Sequence, residues 1–188
     1  MVESLVVTHR NQFAEQERDA VYRAISSRRD VRRGFLPEPL PGALLNRLLA
    51  AAHCAPSVGL MQPSRFIVVR DRAVREAVHG AFLEANKQAL AAYTGERREL
   101  YAGLKLEGIL EAPQNLCVLN DPQSARGHQL GRQTIPETAI YSTVCAIQNL
   151  WLAARAEGVG VGWVSILHLD RLREILRIPA EVVPVAYL

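Results

Sequence analysis

The chain has 188 residues, with 49% hydrophobic and 22% charged residues and a net charge of +3. That length suits one domain with a sizeable core of its own, and the balance excludes a disordered or low-complexity protein. No apolar run reaches the roughly 20 residues of a membrane span, Met1 to Asp19 lack a basic-then-apolar leader pattern, and the charge is too mild to imply nucleic acid.

The first periodic segment runs from about Glu17 to Arg28, with Val21, Tyr22 and Ile25 on one helical face. A proline-rich turn, Leu36 to Pro41, leads to a second helix whose apolar positions Leu44, Leu45, Leu48, Leu49 and Ala52 recur at helical spacing. That helix ends at Ala55-Pro56, because the residue before proline disfavours helical backbone. Phe66 to Val69 reads as a buried strand. Asp71 caps a helix reaching Tyr93, and a further helix spans Glu96 to Leu110. Leu116 to Leu119 is a second strand, and Asn120 to Pro136 is a long polar loop of the kind that carries function.

Thr138 to Glu157 carries the strongest helical pattern, with Ile140, Val144, Ile147, Leu150, Trp151 and Ala154 as its apolar face and Gly158 at its end. Gly160 to Val164 is a third strand, Leu169 to Leu176 a short helix and Val182 to Leu188 a fourth strand. Helices outweigh strands, and the interspersed order predicts a sheet covered on both faces. The three cysteines, Cys54, Cys117 and Cys145, sit in apolar surroundings and read as reduced, buried thiols of a cytoplasmic protein. The histidines His9, His53, His79, His128 and His168 are scattered without ligand spacing, so no metal site is expected.

Four stretches can carry chemistry. Arg28-Arg29-Asp30-Val31-Arg32-Arg33 concentrates four guanidinium groups at a helix end, which suits a phosphate or, equally, a solvated basic turn. Asp30 among them is either an ion-pair partner or a proton-handling group beside a ligand. The segment from His53 to Pro63 lets backbone approach a ligand, although a plain helix-to-strand connection is the simpler reading on spacing alone. Lys105 is a donor to a polar ligand atom or a surface lysine on an amphipathic helix. Gly158-Val-Gly-Val-Gly-Trp-Val-Ser165 places glycines where a strand meets a ligand, in the reverse order of a dinucleotide-binding turn.

These stretches occur together and in order. With Leu104 to Gly108, Gly131-Arg132, Tyr141 to Trp151 and Gly160 to Ser165, they resemble the flavin-binding nitroreductase superfamily from about Asp19 to Leu188. More narrowly they resemble its flavin-destructase branch, the dimethylbenzimidazole synthases. The resemblance implies an α+β fold, a three-layer α/β/α sandwich with a central mixed sheet, normally as a homodimer. It implies one nitroreductase-like flavin-binding domain over residues 1–188, lacking the C-terminal tail that members of the family carry beyond the last strand.

The implied reaction takes reduced FMN as substrate, with O2, to 5,6-dimethylbenzimidazole and erythrose 4-phosphate. NAD(P)H enters only through a separate flavin reductase. Asp30 and Ser165 are the implied catalytic residues, Asp30 standing where general nitroreductases carry serine. Arg28, Arg29 and Arg32 are implied to hold the FMN phosphate and ribityl chain. Pro56, Ser57, Met61 and Gln62 line the ring, Lys105 approaches ring or ribityl oxygens, and Gly162, Trp163 and Val164 pack the other side. The loop Asn120 to Pro136 is then a lid. Ser64 replaces an aromatic residue usual in the family. The alternatives are an FMN-dependent NAD(P)H nitroreductase or enone reductase, and a non-catalytic FMN-binding module.

Overall fold

The computed structural model describes residues 12–188. The readings that touch residues 1–11, His9 and most of the leader question, fall outside it. Among the described residues are six α-helices: α1 Glu15–Ser27, α2 Gly42–His53, α3 Arg72–Ala91, α4 Gly95–Ala102, α5 Thr138–Ala156 and α6 Leu169–Leu176. Three strands, β1 Ser64–Val69, β2 Asn115–Asn120 and β3 Val183–Tyr187, form one antiparallel sheet in the order β1-β2-β3. Ser64 begins β1, and its hydroxyl lies 3.4 Å from that of Thr143.

The sheet is covered on both faces, because β2 alternates its side chains as a strand must. Leu116 and Val118 pack with Leu48 and Ala52 of α2 and with Ala146, Ile147 and Leu150 of α5. Cys117 and Leu119 face the opposite layer, with Val78 and Phe82 of α3 and Leu172 of α6. This is the expected three-layer arrangement. Between Val118 and Leu119 the pairing with β3 slips. Val185 is the extra residue there, beside Pro184, which has no N–H to offer the ladder.

Several expectations need correction. The third strand over Gly160 to Val164 is absent as a regular element. Val164 pairs antiparallel with Tyr187, and Val161 pairs parallel with Asp30 as an isolated bridge. The sheet is therefore mixed only at this edge. Glycines at 158, 160 and 162 weaken strand structure while letting the segment change partners within three residues.

The helix expected over Glu96 to Leu110 stops at Ala102. Glu107 turns its carboxylate onto the Ile109 N–H at 2.7 Å, a local bond that competes with helix. Gly108 packs so closely on Phe35 that a Cβ would lie 2.6 Å from the ring. The irregular segment is pinned from α3, where the buried Arg75 donates to the Ala112 carbonyl.

The apolar face of α1 is not buried: Val21, Tyr22 and Ile25 are exposed, as are Ile140, Tyr141 and Val144 on α5. Cys54 and Cys145 are also exposed, and only Cys117 is buried. No helix among the described residues is long and apolar enough to cross a membrane. No cluster of three or more His, Cys, Asp or Glu side chains that could hold a metal ion occurs among them.

Candidate active site

After α1 the chain turns from helical to extended backbone at Arg28 (φ −59°, ψ 135°). The next residues run along the segment after α5, where the Val31 N–H donates to the Val161 carbonyl at 3.0 Å. Asp30 is thereby set against Trp163. One carboxylate oxygen accepts the Trp163 N–H at 2.9 Å, and the other is paired with Arg32. Gly162 makes this approach possible. A Cβ there would lie 2.2 Å from the Val31 carbonyl oxygen and 3.4 Å from Asp30 Oδ1. Val164 is held by its bridge to β3, and Ser165 stands exposed just beyond it.

The guanidinium of Arg28 lies 4.7 Å from the centre of the Trp151 ring, and that ring lies 6.3 Å from Trp163. Cation, ring and ring thus join the arginine turn to the Asp30 segment. Arg29 donates to the carbonyls of Ser26 and Arg28, each at 2.8 Å, and so closes the end of α1. Arg155 reaches the same place from α5, its Nε donating to Ser27 Oγ at 3.0 Å. Arg28, Arg29 and Arg155, with Trp151 and the backbone of 158–161, line a pocket of about 330 Å³ without a carboxylate in its wall.

Three guanidinium groups around an acid-free pocket suit a phosphate monoester. Arg155 was missed from sequence, because 126 residues separate it from Arg29 and nothing local marks it. Arg32, expected beside Arg28 and Arg29, instead lines a second cleft of about 410 Å³ with Phe35, Leu36 and the 158–164 segment.

Pro56, Ser57, Met61 and Gln62 form a second group, on the loop from α2 to β1. Leu60 and Gln62 adopt positive φ (56° and 46°), which costs energy and persists only where surroundings impose it. Those surroundings are visible. The Gln62 N–H donates to Ser57 Oγ at 3.1 Å, and the Val58 N–H donates to Ser142 Oγ at 3.0 Å. Ser124 Oγ donates to the carbonyl of the buried Met61 at 2.8 Å, and Arg126 holds the Gln62 side chain.

A Cβ on Gly59 would lie 2.4 Å from the Leu130 carbonyl oxygen, and one on Gly127 would lie 1.7 Å from that of Gly59. The segment Asn120 to Pro136, expected as a lid, is in this structure a buttress clamped to the loop.

Lys105 belongs to neither group. It bridges Glu111 at 2.6 Å and Glu107 at 3.2 Å. The hydrogen bond to Glu111 raises its pKa most, with Glu107 adding to the rise and burial opposing it. The two groups are also apart from one another. The loop bonds α5 at Ser142 and the arginine pocket meets it at Trp151. Nine residues of helix separate those positions by ~13 Å.

The nitroreductase family profile matches residues 25–188. The chain belongs to the nitroreductase family. It is 48% identical over 176 residues to the 5,6-dimethylbenzimidazole synthase of Rhodospirillum rubrum, covering 94% of this chain and 83% of that protein. Identity to a Rhodobacter capsulatus protein of the same name is 44% over 169 residues, 90% of this chain and 81% of that one.

Among solved nitroreductase-like folds, oxidized iodotyrosine deiodinase bound to FMN and 3-iodo-L-tyrosine aligns with a TM-score of 0.73 at 22% identity, over 89% of this chain and 86% of that one. A BluB-like flavoprotein from Clostridium difficile 630 aligns with a TM-score of 0.68 at 19% identity, over 94% and 88%. These likenesses give the fold, which agrees with the three-layer architecture.

Proposed function

We propose that this nitroreductase-family chain is a 5,6-dimethylbenzimidazole synthase, which breaks down reduced FMN with O2 and releases erythrose 4-phosphate. The observation that carries the reading is Asp30, a carboxylate fixed by the Trp163 N–H and Arg32 beside an arginine-lined pocket. The pocket fits the phosphate end of FMN, since its wall offers guanidinium donors and no competing acid. Reduced FMN supplies both the electrons for O2 and the carbon skeleton of the product.

The protein's own residues then have separable tasks. Arg28, Arg29 and Arg155 bind the phosphate. Asp30 takes a proton from the ribityl carbon C1′, a task suited to a positioned carboxylate. Gly162, Trp163 and Val164 form the wall on which the ribityl chain and ring are oriented, and Ser165 positions the reacting fragment. Arg32 acts on Asp30 rather than on phosphate, and Lys105 serves the irregular segment through its two glutamates.

Pro56, Ser57 and Gln62 cover the ring from a second copy of the chain, with the buried Met61 side chain supporting the loop from beneath. Two facts favour that homodimer. The loop lies far along α5 from the arginine pocket, and α5 and α1 expose Ile140, Tyr141, Val144, Val21, Tyr22 and Ile25. Contiguous apolar faces of this kind mark association surfaces. A separate flavin reductase, drawing on NAD(P)H, supplies reduced FMN.

The test is aerobic incubation of the protein with FMN, NADH and a flavin reductase, followed by mass spectrometry. Dimethylbenzimidazole should accumulate as FMN disappears. Reoxidised FMN with no benzimidazole would overturn the proposal, and steady nitroaromatic reduction with intact flavin would replace it with a nitroreductase.

A further inference from the structure

Trp151 on α5 carries an indole N–H without a partner. Its side chain is only 9% exposed, and Nε1 is enclosed with no hydrogen-bond acceptor among the described residues. A buried indole N–H ordinarily finds an acceptor, and an unpaired buried donor is costly. The core does not supply one. The buried residues it packs among include Leu48, Leu150, Ala154 and Val161, whose side chains are hydrocarbon. The polar space that the ring borders is the pocket of about 330 Å³ that it lines with Arg28, Arg29 and Arg155. Arg155 follows Trp151 by four residues and shares its side of α5.

Arg28 controls access to that N–H. Its guanidinium lies 4.7 Å from the centre of the Trp151 ring and caps it. Arg29 is tied to the carbonyls of Ser26 and Arg28, and Arg155 to Ser27 Oγ. Among the described residues no acceptor or carboxylate holds the Arg28 guanidinium in the same way. A cation kept in place by a ring face alone yields to an anion, because a charge-assisted bidentate bond outweighs the cation–π contact.

We propose that Trp151 is a phosphate-binding residue. A phosphate entering the pocket draws the Arg28 guanidinium off the ring, and one of its oxygens accepts the Trp151 Nε1–H. The arginines supply charge. The indole supplies a donor that never titrates and whose direction is fixed by its packing in the core. A phosphate monoester carries three strong acceptor oxygens, enough for this donor beside the guanidinium groups. That the phosphate is the one FMN carries rests on the flavin reading of the pocket.

The full chain is labelled with nitrogen-15 in its tryptophans. Trp151 and Trp163 are the two it has, so two indole N–H signals arise, and Trp163→Phe assigns them. Inorganic phosphate, FMN and riboflavin are titrated in separate samples. The Trp151 signal should move downfield with inorganic phosphate and with FMN, and stay in place with riboflavin. A signal unmoved by inorganic phosphate, or moved as far by sodium chloride of equal ionic strength, would overturn the site. Movement with inorganic phosphate but not with FMN would leave the phosphate site standing and overturn its place in the flavin reading.

Trp151→Phe keeps an aromatic ring under Arg28 and deletes the N–H. It should weaken FMN by roughly 10-fold in equilibrium titration, the lower value of a hydrogen bond to a charged group, and leave riboflavin unchanged. Equal losses for the two ligands would reduce Trp151 to packing and overturn the assignment. Should the variant fail to fold, the wild-type spectra decide alone. None of these readouts requires turnover, so a chain that binds phosphate through Trp151 yet makes no benzimidazole is told apart from one that makes it without this contact.

Discussion

In the proposed reaction the chemistry concentrates at Asp30, and its contact with the Trp163 N–H shows how that role can be isolated. An amide at position 30 keeps an oxygen for the Trp163 N–H but removes the charge and the base. Asp30→Asn should therefore bind FMN with an affinity within about threefold of wild type and lose ~100-fold or more of product formation, in line with general-base deletions. Fluorescence titration and a product assay measure the two quantities. Loss of binding with unchanged turnover per bound flavin would take catalysis away from Asp30.

Arg155 supplies a second test at this scale. Arg155→Ala should weaken FMN by roughly 10- to 100-fold, the value of one charged hydrogen bond, and leave riboflavin, which has no phosphate, unchanged. Equal losses for both ligands in equilibrium titrations would take Arg155 out of the phosphate pocket. The arginine turn was legible in sequence because its residues are adjacent. Arg155 was not, because a helix 19 residues long delivers it from elsewhere in the chain. Arg32 lines the neighbouring cleft, where its guanidinium pairs with the Asp30 carboxylate, a pairing that spacing alone does not reveal.

At the scale of elements, the site depends on segments that are neither helix nor strand. Gly160 and Gly162 read as strand glycines, and their meaning emerges only when the Val31 backbone is found against them. Gly162→Ala would force apart the Val31 carbonyl and the Asp30 segment. A destabilisation of about 1–3 kcal/mol, the usual cost of overpacking, is expected in denaturant unfolding. Product formation should fall with it, since Asp30 loses its Trp163 contact. A variant with unchanged stability and yield would show that this approach is dispensable.

Helices α2, α3, α5 and α6 were legible from periodicity, and Asp71 caps α3 by accepting the Val74 N–H at 3.2 Å. Helix α4 was overextended because apolar spacing continues through Leu104, Leu106 and Ile109. Neither the Glu107 side-chain bond nor the contact of Gly108 with Phe35 leaves a trace in that spacing.

At the scale of the molecule, the layers were foreseen from the order of elements, whereas the surface was not. Ile140 and Val144 belong to an apolar face too broad for one sheet to cover, and the remainder points outward beside α1. Sequence periodicity reports that a face is apolar without saying what covers it. In the proposed homodimer a second copy covers that surplus and spans the distance between the loop and the arginine pocket. The protein should sediment as a dimer. Val144→Asp should yield a folded monomer with native circular dichroism and little product. A wild-type monomer that makes product at full rate would contradict the shared site.

The proposed reaction turns on the fate of one carbon. FMN labelled with carbon-13 at ribityl C1′ is reduced anaerobically, mixed with the protein, and exposed to O2, and the products are resolved by mass spectrometry. The predicted result is 5,6-dimethylbenzimidazole carrying a single label, at C2, with unlabelled erythrose 4-phosphate. Labelled FMN recovered intact, with hydrogen peroxide matching the O2 consumed, would contradict it.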